Sequence, residues 1–139
     1  MTEGRILALD LGEARIGVAV SDPERRLALP AGTIRVTGGV EDLKAVAALV
    51  GDIGAVEVVV GHPVTMAGER GTAATRAEEF ADGLRLMLKV PVHLQDERLT
   101  TAEAERNLKE AGADRRTRRD AVDQTAATLI LESFLAGRR

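Results

Sequence analysis

The chain has no cysteine, no tryptophan and no tyrosine, and it has only two histidines and two phenylalanines. Without cysteine, neither a disulfide framework nor a thiolate metal site can form. The two histidines, His62 and His93, are too few to favour a zinc site. With so few aromatic rings, the bases of a nucleic acid would find little to stack on. Any bound nucleic acid is therefore expected to be held by its phosphates and its shape.

Long apolar runs are also absent. No segment approaches the roughly 20 consecutive apolar residues that a membrane helix requires. Residues 1–5 do not have the layout of a signal peptide. The sequence therefore predicts a cytoplasmic protein that does not associate with a membrane. The net charge of −3 argues against a uniformly basic surface for nucleic acid.

What is present is a globular composition, with 139 residues of which 45% are hydrophobic and 29% are charged. This length and balance predict a single domain spanning residues 1–139. Periodicity predicts strands at 5–11, 15–21, 27–35, 56–60 and 90–94, and helices at 41–50, 72–88, 100–111 and 117–135. The order β-β-β-α-β-α-β-α-α indicates an α/β fold with a five-stranded mixed sheet flanked by helices. Pro30 marks the third strand as an edge strand or the site of a bulge.

Three acidic residues from distant segments are candidate ligands of a metal. Asp10 ends an apolar strand; beside Gly12 it could be a turn former, but it is equally suited to hold a cation. Glu97 follows another apolar strand, where α/β sheets place their sites. Asp123 lies on an apolar helix, where an unpaired carboxylate is costly. Together they favour hard divalent cations and phosphate chemistry.

Each candidate also has a simpler interpretation. Glu97 could pair with Arg98 in solvent, and Asp123 with Asp120 could offset a run of arginines that precedes them. That run comprises Arg115, Arg116, Arg118 and Arg119. Positive charge near a helix start opposes the helix dipole, so a phosphate there would compensate it. His62 is interpreted as a loop residue rather than a base.

Several segments together resemble the YqgF/RuvX family of bacterial proteins, which are similar to Holliday-junction resolvases and are also described as pre-16S rRNA nucleases. The resemblance covers nearly the whole chain. It rests on residues 9–12 with 15–22, 59–63, 96–101 and 123–131. It implies an RNase H-like fold with Asp10, Glu97 and Asp123 as catalytic, metal-binding acids. Two departures are His62, where the family usually carries an aliphatic residue, and Asp120, an additional acid interpreted as a bystander.

The resemblance implies a metal-dependent phosphodiesterase that uses two Mg²⁺ or Mn²⁺ ions. Arg98 and the four arginines at 115–119, assisted by Arg15, are expected to hold phosphates without reading sequence. The substrate would be structured RNA, most simply the 5′ end of precursor 16S rRNA, or branched DNA such as a Holliday junction. A homodimer is left open.

Two other classes of function share features with this sequence. A phosphotransferase of the actin and sugar-kinase type also begins with an aspartate-glycine hairpin, but it needs a duplicated domain and a second phosphate loop, for which this chain is too short. A non-catalytic nucleic-acid-binding module with the same fold has little support, because all three acids are present.

Overall fold

The structure is a computed structural model, and it describes residues 4–63, 71–96 and 115–137, with the side chains of 115–125 left undescribed. The elements are β1 (Arg5–Leu11), β2 (Arg15–Ser21), β3 (Ala28–Arg35), α1 (Val40–Ile53), β4 (Ala55–His62), α2 (Thr72–Met87), β5 (Val92–Asp96) and α3 (Arg115–Ala136). The helix predicted at 100–111 lies outside the described residues.

The five strands form one mixed sheet in the order β3-β2-β1-β4-β5. The first three strands pair antiparallel because short turns connect them. β1, β4 and β5 pair parallel, since α1 and α2 carry the chain back between them. The predicted fold class is confirmed. Pro30 lies on an edge strand, close to a shift of register between β2 and β3, as its position predicted.

Helices cover both faces of the sheet, so β1 and β4 are apolar at nearly every position. Leu7 and Leu9 of β1 pack toward α1 and α2. Ile6 and Ala8 pack toward α3. Because side chains alternate along a strand, Asp10 lies on the α3 face. The buried residues of α3 recur every three or four positions: Ala127, Ile130, Leu131, Phe134 and Leu135.

Two strands end later than the sequence predicted. β4 continues to His62 rather than 60, and β5 spans Val92–Asp96 rather than 90–94. The carbonyl of Pro91 accepts a hydrogen bond from the Val58 amide at 2.9 Å, and the ladder then runs on until His62 pairs with Asp96. The interpretation of His62 as a loop residue was therefore wrong.

Among the described residues, no helix has both the length and the apolar character needed to cross a membrane.

The start of α1 is held by a buried carboxylate. Gly39, the N-cap, contributes no side chain. Asp42 instead reaches back and accepts hydrogen bonds from the Thr37 amide at 2.8 Å, the Thr37 hydroxyl at 3.0 Å and the Gly38 amide at 2.9 Å. The Thr37 amide is the main cause that lowers the pKa of Asp42 below its ordinary 3.8.

We expect Asp42→Ala to lower the free energy of unfolding at pH 7 by about 1–2 kcal/mol, because three donors lose their acceptor. A depressed pKa means that this stabilisation is complete above about pH 4 and is lost as the pH falls through the folded-state value. Urea unfolding at pH 7 and pH 3 should show the gap between wild type and variant shrinking in acid. Asp52→Ala, an exposed acid at the end of the same helix, is the control. An equal difference in the free energy of unfolding at both pH values contradicts the stabilising role of the ionised Asp42 carboxylate.

Candidate functional site

The carboxyl ends of β1, β4 and β5 lie at the same edge of the sheet. Leu9 pairs with Val60, and Val60 pairs with Leu94. β4 separates the other two strands, so β1 and β5 lie about 10 Å apart. Asp10 is therefore level with Gln95, two residues before the predicted ligand Glu97. The parallel pairing thus brings the ends of these three strands to one edge of the sheet.

Asp10 is half-buried at the penultimate position of β1. It faces the side of the sheet that α3 covers. Its antiparallel neighbour is Gly17 of β2, which adds no side chain to that face. A carboxylate at this position is held by two neighbouring strands and is partly open to solvent.

The turn that follows Asp10 is fixed at three points. Within the turn, the Gly12 amide donates to the carbonyl of Arg15 at 2.8 Å. From the β3–α1 connection, the Val36 amide donates to the carbonyl of Ala14 at 2.9 Å. From α2, the Arg76 guanidinium donates to the carbonyl of Gly12 at 2.7 Å. The strand end that carries Asp10 is consequently tied to two other parts of the fold.

Gly12 is required by the geometry of this turn. A Cβ atom added there would lie 2.5 Å from the carbonyl oxygen of Arg15, which is backbone and can yield only if the hairpin moves. The space that a side chain at position 12 would need is occupied by the backbone of the same hairpin.

Helix α2 also holds the end of β4. Nε2 of His62 lies 2.7 Å from Oε2 of Glu78. Ala77, between Arg76 and Glu78, is fully buried against the sheet. The two charged residues therefore flank the buried Ala77, and Arg76 contacts the β1–β2 turn while Glu78 contacts the end of β4. His62 lies on the α1/α2 face, opposite Asp10, so it is not placed as a base beside that carboxylate.

The other predicted site residues are described only in part. Arg15 begins β2, is partly buried and pairs with Arg35 of β3. Glu97 directly follows β5, and it lies outside the described residues together with Arg98. Six further residues singled out in the sequence belong to the part of α3 whose side chains are not described: Arg115, Arg116, Arg118, Arg119, Asp120 and Asp123.

Asp123 precedes the buried Ala127 by one turn of α3. No group of three or more His, Asp or Glu side chains that could hold a metal ion occurs within the described part of the chain. Of the three predicted acids, Asp10 alone has a described side chain.

A second polar cluster anchors α3 to the sheet near the opposite edge. Glu57 of β4 is buried, with its carboxylate 3.3 Å from the Arg25 guanidinium and 2.8 Å from Nε2 of His93. The ring of His93 contacts the ring of Phe134 on α3, at 5.0 Å between centroids. Glu57 pairs with Ile6, about 13 Å along β1 from Asp10, so the cluster fixes the helix without entering the candidate site.

Comparison with known proteins identifies the family. The RuvX profile, described as Holliday junction resolvase, matches residues 4–137. A protein of Mycolicibacterium paratuberculosis (strain ATCC BAA-968 / K-10) named "Putative pre-16S rRNA nuclease" is 49% identical over 137 residues, which are 98% of this chain and 82% of that protein. A protein of the same name from Roseiflexus sp. (strain RS-1) is 44% identical over 136 residues, covering 98% and 96%.

A solved structure shares the fold. T. thermophilus RuvC in complex with a Holliday junction substrate matches with a TM-score of 0.57 and 16% identity, covering 96% of each chain. The family resemblance predicted from the sequence is confirmed. The chain belongs to the RuvX family and has an RNase H-like fold.

Proposed function

We propose that the protein is a metal-dependent nuclease that processes the 5′ end of precursor 16S rRNA in the cytoplasm. One observation carries the proposal: Asp10 stands half-buried where β1 ends, level with the end of β5, and Glu97 is the residue that follows β5. The names of the relatives, at 49% and 44% identity, support rRNA as the substrate. Residues 1–139 would act as one nuclease domain.

The chemistry of the available donors fits Mg²⁺ or Mn²⁺. The chain offers carboxylates and no thiolates, and each of its two histidines contacts a glutamate, His62 with Glu78 and His93 with Glu57. Hard oxygen ligands are those that Mg²⁺ and Mn²⁺ prefer. Asp10, Glu97 and Asp123 are the residues that would hold such ions. Cations bound there would supply an activated water and neutralise charge on the leaving 3′-oxygen.

The backbone supports this set of ligands. α3 packs across β1 and β2, on the face that Asp10 shares. Asp123 precedes the buried Ala127 of that helix by four residues. Along β5, His93 contacts Phe134 on the α3 face, and Glu97 follows His93 by four residues in the sequence.

The arginines are proposed to hold the substrate. Arg15 lies in the strand beside β1, and Arg98 follows Glu97 directly. Arg115, Arg116, Arg118 and Arg119 lie at the start of α3. Such side chains contact phosphates and place a strand over the carboxylates without reading its bases. Selectivity would then come from the shape of a structured RNA. Whether the protein acts as a homodimer stays a prediction.

A second candidate function is the resolution of branched DNA. The family profile is described as Holliday junction resolvase, and phosphate contacts serve DNA and RNA alike. The same acids would act on a four-way junction, so the two functions differ in substrate and not in chemistry.

A direct test measures cleavage of a precursor-16S 5′ fragment and a four-way DNA junction in parallel, with Mg²⁺ and Mn²⁺ titrated from zero. We expect specific cuts in the precursor that require either metal and stop in EDTA, and no cut in the matching mature 16S fragment. Cleavage that persists in EDTA contradicts the metal assignment. Cleavage of the junction alone replaces the first candidate with the second.

A further inference from the structure

We infer that Arg76 is a positioning residue for the proposed metal site, acting on Asp10 through the β1–β2 turn. This inference rests on the proposed function. Arg76 belongs to α2, which covers the face of the sheet opposite Asp10. It therefore contacts neither the carboxylate nor a cation bound to it.

The contact that carries the inference joins residues 64 positions apart. Nη1 of Arg76 donates to the carbonyl oxygen of Gly12 at 2.7 Å, and the contact is partly buried. Gly12 follows Asp10 by two residues and closes its own hairpin with the Arg15 carbonyl at 2.8 Å. A shift of this carbonyl would be passed to the end of β1, because only Leu11 separates Gly12 from Asp10.

Arg76 also interacts electrostatically with the Asp42 carboxylate at the start of α1. Its positive charge adds to the effect of the Thr37 amide in lowering the pKa of Asp42. An open groove of about 610 Å³ runs between these segments, lined by Arg76, Glu13 and Asp42 among others. Glu13 of the turn borders this groove, and the hydrogen bond from Arg76 to the Gly12 carbonyl joins the turn to α2.

A metal site is sensitive to such support. Ligand oxygens must be held within about 0.5 Å of their productive positions. Loss of an outer partner of a ligand typically weakens metal binding about 10–100-fold. A guanidinium suits the role because its planar donors fix direction, whereas a lysine ammonium is a flexible point charge.

The chain offers a matched control on the same helix. Arg85 donates from Nε and Nη2 to the carbonyl of Val92, at 3.2 and 2.7 Å. Val92 is the first residue of β5, four residues before the end of that strand and level with Leu7 rather than with Asp10. Arg85 therefore makes the same kind of helix-to-strand contact away from the strand end at the candidate site.

The experiment measures the Mn²⁺ dissociation constant by calorimetry, at a temperature well below each variant's unfolding midpoint. Arg76→Gln should weaken Mn²⁺ binding about 10-fold. Arg76→Lys should weaken it by about threefold, since lysine keeps the charge but not the geometry. Arg85→Gln should leave it unchanged, even where its melting temperature falls. Cleavage by Arg76→Gln should recover as the metal concentration is raised.

Asp10→Asn separates failure of this inference from failure of the proposed function. If Asp10→Asn weakens Mn²⁺ binding and folded Arg76→Gln does not, the role of Arg76 is refuted and the metal site stands. If Asp10→Asn leaves Mn²⁺ binding unchanged, the proposed site fails, and the inference fails with it. If Arg76→Gln does not fold, Arg76→Lys decides: wild-type affinity overturns the inference and weakened affinity supports it.

Discussion

Asp10→Asn should lower the rate of RNA cleavage by more than about 100-fold and leave nucleic-acid affinity intact or higher. Loss of even an outer partner of a metal ligand costs about 10–100-fold, so loss of the ligand itself should cost more. The substitution keeps the size of the side chain, and Asp10 is only half-buried, so the fold should tolerate it. Removing a negative charge beside the proposed phosphate path also reduces repulsion of the substrate.

Single-turnover cleavage in Mg²⁺ and binding measured by anisotropy in EDTA give the two quantities separately. Asp52→Asn, an exposed acid at the end of α1 and remote from the candidate site, should change neither. Melting curves check that both variants are folded. Cleavage by Asp10→Asn at the wild-type rate would remove this residue from the catalytic set. A wild type that binds but never cuts, together with loss of affinity in Asp10→Asn, would favour the non-catalytic module instead.

The order of the elements could be predicted because it depends on local patterns. The apolar run at 6–9 and the valine-rich segment at 56–60 predict buried strands, and the short turn at Gly12 predicts an antiparallel hairpin. Asp10 could be singled out for the same reason, since it directly follows one of those runs. The edge position of β3 followed from Pro30, which cannot donate to a ladder.

The contacts that support the site could not be predicted in this way. Arg76 meets Gly12, and Glu78 meets His62, only because α2 packs across β4 and β5 at a particular angle and offset. No periodicity along the chain encodes that offset. The interpretation of His62 as a loop residue was wrong for a related reason: its pairing with Asp96, a residue distant in sequence, keeps it in the ladder. Pairing partners decide where a strand ends.

Gly12→Ala should destabilise the β1–β2 turn and displace the end of β1. The added Cβ would lie 2.5 Å from the carbonyl oxygen of Arg15, so the hairpin must open or shift. Overpacking of this kind costs about 1–3 kcal/mol, and a backbone obstacle favours the upper end of that range. The same shift would move the end of β1, so we also expect the metal concentration for half-maximal cleavage to rise about 10-fold.

Gly51→Ala is the matched control for Gly12→Ala, because it makes the same chemical change within α1 where a Cβ meets nothing within 4 Å. Alanine is the better helix former there, so Gly51→Ala should raise the free energy of unfolding by about 0.5–1 kcal/mol. Urea unfolding of both variants should therefore give changes of opposite sign.

If Gly12→Ala is as stable as the wild type, the turn has room that this structure does not show. If it is less stable but binds Mn²⁺ normally, the turn supports the fold and not the carboxylate. Loss of both properties at Gly12, with neither lost at Gly51, would tie the end of β1 to metal binding through the backbone itself.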